Sequence, residues 1–546
     1  MSGSGPGRET ARQRVARLVT QVAPQAVYNV SLLSSEGASS SAESGSVRAS
    51  GATVSPADAA GASSSSSPSV IPVTHTTDVC IIGAGVLGSA LAAVLGRKGY
   101  KVVVLERDWS EPDRIVGELM QPGGVRILRE LGLGDAVEGI DGQGIEGYGV
   151  FFKGEAVNLP YPLEADGTAP RGVAFHHGRF VQRLRQAVHA APNVTALTAT
   201  VNGTWENAEG TIIGVNYTDK ATKEKGRVNA WLTIACDGFA SRFRKTLTKT
   251  KPIKVSTFAA LVLEDVDIPF ANHGHVILAD PSPILCYPIS STEARLLVDI
   301  PNDVPGKEYA NYIRNHMAPQ MPDGIRQGAL AALDKSNNRV RTMPNSYMPG
   351  VPDHVLGGIA LGDSFNMRHP LTGAGMTVAL ADGKLLVDLL AKVRDLSDRE
   401  ATARALKPFY KLRKKHAATA NILANALYSV FCGSDDEYLP IMQEACISYF
   451  RLNDFTRSGT MSLLGLMDTR PYVLVSHFFA VAAYGILGII GGMPYPSRIA
   501  TAFHVLQSAT NVIKPLIDNE DVTVLSLVPN FLLGIQNTMG EMTKAK

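Results

Sequence analysis

At 546 residues the chain exceeds what one hydrophobic core accommodates, so two or more domains with appendages are expected. A net charge of +2, from 52 Lys+Arg against 50 Asp+Glu, leaves no nucleic-acid footprint, and no basic stripe stands out. Five scattered cysteines (Cys80, Cys236, Cys286, Cys432, Cys446) have neither CxxC nor metal-ligand spacing, which argues against a disulfide framework and predicts ordinary buried, reduced thiols.

Residues 1–76 read as a low-complexity tail. Ser34 to Ser69 is Ser/Ala/Gly-rich and has too little apolar surface to offset the entropy of ordering. Met1 to Leu33 carries four arginines, one acid and the spaced apolar residues Val15, Leu18, Val19 and Val22. Two readings stay open there: a short amphipathic helix with a targeting or membrane-surface role, or a basic disordered tail. It lacks the apolar run of a secretory signal.

The stretch Asp78–Arg107 organises the rest of the chain. Val79 to Ile82 reads as a buried strand, Gly83-Ala84-Gly85-Val86-Leu87-Gly88 as its turn, Ser89 to Leu95 as a helix, and Lys101 to Leu105 as a second strand ending on Glu106. This is a βαβ unit with G-x-G-x-x-G at its first turn. Gly83 makes the tight turn, Gly85 lets backbone approach a pyrophosphate, and Gly88 lets helix and strand pack closely. The helix N-terminus offers N–H groups and a positive dipole end to phosphates. Glu106 is placed to accept hydrogen bonds from a ribose.

Further on, the segment from Val125 to Gly139 has the apolar spacing of an amphipathic helix. Tyr148 to Phe152 starts a strand, and Val181 to Ala191 is a helix carrying Arg185. Short strands near 194–201, 212–217 and 227–235 lead into Cys236-Asp237-Gly238. Residues 255–300 alternate apolar and polar between turns, as a sheet facing a substrate would. Gly357 to Asp363 is a buried strand ending in Gly-Asp, and Pro370-Leu-Thr-Gly-Ala-Gly-Met376 opens a long helix. Two more amphipathic helices are expected over 407–428 and 436–450. Tyr472 to Ile490 is then 19 residues without a formal charge, about the roughly 20 needed to span a bilayer. Ala500 to Ile517 and Val522 to Ile535 are also apolar, so the C-terminus is expected to be a membrane anchor.

Three glycine-acid signatures in this order resemble the flavoprotein monooxygenases of the aromatic-hydroxylase fold. Longer blocks narrow the resemblance to the squalene monooxygenase (squalene epoxidase) family: Asp113-Arg-Ile-Val-Gly-Glu118, Leu119-Met-Gln-Pro-Gly-Gly124, Phe175-His-His-Gly-Arg179 and Asn366-Met-Arg-His-Pro-Leu-Thr-Gly373. The likeness runs from about Asp78 to the C-terminus. It implies an α/β fold: a Rossmann-like FAD-binding domain (77–254 and 346–395), an inserted β-sheet substrate domain (255–345), a helical region (396–470) and a hydrophobic C-terminal membrane anchor (471–546). Where many wider relatives have a histidine after the Gly-Asp pair, this chain has Ser364-Phe365-Asn366. That weakens any transfer of aromatic-hydroxylase chemistry and agrees with the narrower family.

Carried over position by position, the resemblance implies FAD on Val86, Glu106, Arg107, Arg114, Arg185, Val201, Asp363 and Met376, beside the glycine turn Gly83, Gly85, Leu87 and Gly88. It implies an active-site Tyr148 oriented by Gln121 and no metal; His176 and His177 read as structural. The implied reaction is epoxidation of squalene by O2 to (S)-2,3-epoxysqualene in sterol biosynthesis. Electrons would come from NADPH–cytochrome P450 reductase, at the cytosolic face of the endoplasmic reticulum membrane. A prenyl-lipid reductase of the same fold and a GDI-like prenyl-binding non-enzyme remain alternatives. Because the cofactor motifs lie upstream of residue 472, removing the tail is expected to leave flavin bound.

Overall fold

A computed structural model describes residues 71–432, 436–490 and 497–522. Most of the N-terminal tail, including the segment with Val15 to Val22, and nearly all of the apolar stretch 522–535 lie outside the described residues.

The first sheet grows from short apolar runs that are buried on both faces, the pattern of a covered parallel sheet. The strand Val73–Ile82 pairs in parallel with Val102–Glu106 on one side and Lys225–Ala235 on the other. Val194–Glu206 extends the sheet beyond Val102–Glu106, and Gly358–Ala360 extends it beyond Lys225–Ala235. Ile212–Asp219 runs antiparallel to both Val194–Glu206 and Lys225–Ala235 and forms the meander expected from the sequence. Strand order therefore reverses around Val73–Ile82, and sheets of this kind bind ligands outside the carboxyl end at such a point. The helices Val86–Arg97 and Gly375–Leu390 pack together because Gly383 has no side chain: a Cβ there would stand 2.8 Å from Leu87.

The second sheet has seven strands. Five fall in and around the stretch of substrate-facing alternation, from Ile253–Glu264 to Arg341–Tyr347. The other two, Gly147–Phe152 and Glu155–Pro160, come from sequence expected to belong to the FAD-binding part. They join through parallel pairing of Gly147–Phe151 with His273–Ile277. A parallel pair between segments so far apart leaves no local mark, because its register is set by tertiary packing. A third, three-stranded sheet (Leu119–Met120, Gly172–Ala174 and Gln143–Ile145) delivers the chain directly into Gln121.

Five helices complete the described chain: Lys414–Phe431, Leu439–Leu452, Asp454–Leu464, Pro471–Ile490 and Ser497–Asn519. Pro471–Gly488 is long and apolar enough to cross a membrane, yet 39% of it is buried inside the protein. Its Leu474 and Val475, with Val505 and Ile513 of the next helix, share one core with Phe258, Leu285 and Leu297 of the substrate sheet. The described part of the tail is thus packed into the body of the protein instead of standing apart from it.

Candidate functional site

The glycine turn has the geometry its sequence demands. Gly83 sits at φ +94°, and a Cβ on it would lie 2.8 Å from the Cys236 carbonyl, so first and second motifs touch here. A Cβ on Gly88 would fall 1.9 Å from the Gly83 oxygen. Gly85 differs: a Cβ there meets nothing within 4 Å. Open space beside an uncapped helix N-terminus fits a pyrophosphate, which would fill it and accept the helix N–H groups. Glu106 accepts from the Ala84 N–H at 2.9 Å and the Asp108 N–H at 3.0 Å, which fixes its carboxylate at the strand end with lone pairs left for ribose hydroxyls. Arg185 is buried, donates to the Ala84 carbonyl at 3.0 Å and the Ser110 carbonyl at 2.8 Å, and lies 3.9 Å from Glu106.

Arg244 binds the second motif to the third. Its guanidinium donates to the carbonyls of Phe239 (2.8 Å), Asp363 (2.9 Å) and Ser364 (3.1 Å). The third motif, with Gly362 against Leu87, thereby lies beside the first. Burial raises the Asp363 carboxyl above the usual carboxylate range, with Arg368 and Arg244 opposing. The helix Gly375–Leu390 also lacks a side-chain N-cap. Buried hydroxyls of Thr372 and Thr377 and one Asp237 carboxylate oxygen have no hydrogen-bond partner among the described residues.

Gln121 is the centre of a second cluster, one layer further in. It is fully buried. Its amide nitrogen donates to the Tyr148 hydroxyl at 2.5 Å and to the Thr372 carbonyl at 2.7 Å; its amide oxygen accepts from Tyr161 at 2.7 Å. With both amide hydrogens committed, the Tyr148 oxygen is an acceptor, and Tyr161 is a further hydrogen-bond partner of the Tyr148 hydroxyl. Burial raises the Tyr148 phenol above its ordinary value, against the opposing effect of the Gln121 bond, and Tyr161 is raised further. Both stay protonated at neutral pH. Thr372 belongs to the third glycine motif, so this cluster links the second sheet directly to that motif.

The other expected residues divide. Met376 is buried in the first turn of its helix, near Gly117. Val201 is buried three residues beyond Thr198, the strand partner of Glu106. Arg107 and Arg114 are exposed and stand outside the packed arrangement; Arg114 lies over the Phe239 ring. His176 pairs with Glu293 and His177 with the Gly117 carbonyl, which are structural roles. All five cysteines are buried thiols. Sequence reasoning missed Tyr161 and Arg244. Tyr161 had a signal, since Val157, Leu159 and Tyr161 alternate toward the interior. Arg244 had none that separated it from Arg242.

A family model described as squalene epoxidase matches residues 229–500. Squalene epoxidase 1 of Arabidopsis thaliana is 49% identical over 449 residues, covering 82% of this chain and 84% of that protein. The squalene monooxygenase of Mus musculus is 43% identical (81% of this chain, 78% of that protein). The squalene epoxidase of Schizosaccharomyces pombe is 42% identical (82% and 99%). Among solved structures, p-nitrophenol 4-monooxygenase from Pseudomonas putida superposes with a TM-score of 0.60 at 18% identity, over 73% of this chain and all of that one. A probable FAD-dependent monooxygenase from Pseudomonas aeruginosa gives 0.52 at 21% identity, over 65% and 97%. The fold is that of FAD-dependent monooxygenases.

Proposed function

The chain belongs to the squalene epoxidase family, and we propose that Gln121, Tyr148, Tyr161 and the Thr372 carbonyl form the wall of its oxygen-transfer site. The activity is FAD-dependent epoxidation of squalene in sterol biosynthesis. The observation that carries the site assignment is the Gln121 junction, which ties the substrate sheet to the third glycine motif by three hydrogen bonds of 2.5–2.7 Å.

FAD, when bound, supplies the activation of O2 that delivers one oxygen atom to an alkene. Gly85 would leave room for its pyrophosphate, Glu106 would hold its ribose, and Asp363 and Met376 would line the flavin end. Gln121 holds Tyr148 in one rotamer, which would set the position of its ring and hydroxyl in the wall of the site. Tyr161 stands edge-on to Tyr148 at 6.2 Å between ring centroids and restricts its movement. The surrounding apolar side chains, Leu119, Ile145 and Leu371 among them, exclude water.

Squalene has no polar handle, so its affinity must come from apolar burial at roughly 25 cal/mol per Å². A cleft of about 600 Å³ opens further along the strand that bears Tyr148, lined by Phe151, Phe152, Ile277, Leu278, Met321 and Phe431 among others. Its size and lining suit an apolar ligand. Attachment to a bilayer is supported by the helix Ser497–Asn519, which exposes Ile499, Phe503 and Leu506 at i, i+4, i+7 spacing. In this reading the catalytic part faces the cytosol at the endoplasmic reticulum, and NADPH–cytochrome P450 reductase supplies the electrons.

The test is turnover of squalene with O2, NADPH and the reductase, with identification of the product. The expected product is 2,3-epoxysqualene. A product with fewer double bonds and no added oxygen would favour a prenyl-lipid reductase, and purified protein without a flavin absorbance band would favour a prenyl-binding protein.

A further inference from the structure

Beneath the third glycine motif lies a buried polar network that the oxygen-transfer chemistry does not use. Asn366, just after the Gly-Asp pair, accepts on its side-chain oxygen from Arg368 (2.8 Å), Arg413 (3.1 Å) and Asn421 (3.1 Å). Arg413 is in turn held by Asp382 at 2.9 Å, and His416 reaches the same carboxylate at 2.8 Å. Burial would raise the Asp382 carboxyl, but Arg413 and His416 hold it below the usual aspartate value. The last member comes from the tail. Glu520, directly after the helix Ser497–Asn519, is 2% exposed; it accepts from Lys414 at 2.8 Å and from Asn421 at 2.9 Å. The Asn421 oxygen then accepts from Arg368 at 2.6 Å, and Asn366, on which Arg368, Arg413 and Asn421 converge, donates its backbone N–H to the Gly362 carbonyl of the Gly-Asp pair at 2.9 Å.

Within this network Glu520 is the carboxylate partner of Lys414. Three cations, Arg368, Arg413 and Lys414, face three carboxylates, Asp363, Asp382 and Glu520. Arg244, on the other side of Asp363, has Asp237 as a further counter-charge. A buried ion without its partner is far more costly than a matched pair. Without Glu520, Lys414 would lose its carboxylate partner, and the Asn421 amide would lose the acceptor that turns its oxygen toward Arg368.

We propose that Glu520 is a positioning residue for the cofactor, delivered by the C-terminal helix, which neutralises Lys414 and, through Asn421 and Asn366, holds the Gly362-Asp363 pair of the third glycine motif. The proposal rests on the reading of Asp363 as a cofactor-facing residue. It makes the tail a structural part of the flavin site, so its removal should not leave flavin binding intact, even though every glycine motif lies upstream.

The experiment uses full-length protein and titrates FAD into apo-protein, monitoring flavin fluorescence and the visible absorbance of the bound flavin. Glu520→Gln keeps the shape and removes the charge; FAD affinity should fall about tenfold, a change of ~1.4 kcal/mol. Adding Lys414→Met restores neutrality, and the double variant should recover most of the affinity. A residue needed only to dock the helix would give a double variant no better than the single one. Unchanged affinity in Glu520→Gln overturns the proposal, as does a double variant that binds FAD no better than Glu520→Gln. Should the single variant fail to accumulate, the neutral double variant decides alone: near-native affinity supports the proposal and a tenfold loss overturns it. Wild-type protein that takes up no FAD would overturn the cofactor reading as well.

Discussion

The side-chain amide of Gln121 donates to the hydroxyl of Tyr148 across 2.5 Å, joining the end of one small sheet to the first strand of another, 27 residues later. Because the same amide nitrogen also binds the Thr372 carbonyl, the tyrosine cannot move independently of the third glycine motif.

Tyr148→Phe should therefore lower epoxide formation by a few-fold to about tenfold while FAD stays bound, the scale of one lost hydrogen bond of ~0.5–1.5 kcal/mol. Gln121→Ala should lose a similar amount. The double variant should lose little more than either, because the two act as a unit. Full turnover in Tyr148→Phe, or simple addition of the two losses, would return Tyr148 to the role of a core residue.

The glycines of the first turn should separate by assay. Gly85→Val meets no protein atom within 4 Å of its Cβ, so the fold should persist with a nearly unchanged thermal midpoint while FAD is lost. Gly88→Ala drives a methyl to 1.9 Å from a backbone oxygen and should lower the midpoint by several degrees, at about 2–4 °C per kcal/mol. Flavin absorbance and a thermal melt on each variant give both readouts. Normal flavin content in folded Gly85→Val would contradict the pyrophosphate assignment.

Glu118 and Arg295 form a buried fork of 2.7 and 2.8 Å that fastens the segment leading into Gln121 to the substrate sheet. Arg295→Met alone leaves a buried carboxylate without its partner and should cost about 3–5 kcal/mol. Adding Glu118→Gln should recover part of that loss. Urea midpoints of the three proteins check the order.

Asp382 sets an acid limit. Its carboxyl is held below the ordinary value of 3.8, so its contribution is fully present above that pH and is lost as pH falls through the lower folded value. Unfolding free energy should fall more steeply below pH 3.8 in the wild type than in Asp382→Asn, which lacks this contribution at every pH. Parallel slopes in denaturant titrations across that range would remove Asp382 from the account.

Phe503 and Ile499 are 63% and 56% exposed on one helix face. Replacing both with Glu should reduce flotation with lipid vesicles while leaving flavin content unchanged. Undiminished flotation would place the membrane contact elsewhere.

The sequence by itself determined the local elements: the βαβ unit, the turn glycines and the strand end at Glu106. It did so because apolar periodicity and the special backbone freedom of glycine are written within a few residues. It also placed Gln121 and Tyr148 together through family likeness, and the geometry joins them. Tertiary structure alone decided which distant segments share a sheet, a core or a charge. The hairpin at 147–160 joins the substrate sheet by a parallel pairing with no local signature. Arg244 is told from Arg242 only by which side chain turns toward Asp363. Glu520, outside every motif, enters the site only because the helix before it packs into the same core as the substrate sheet. Such partnerships are settled by long-range packing and by the cost of leaving a buried charge unmatched, and neither is visible in a short window of sequence.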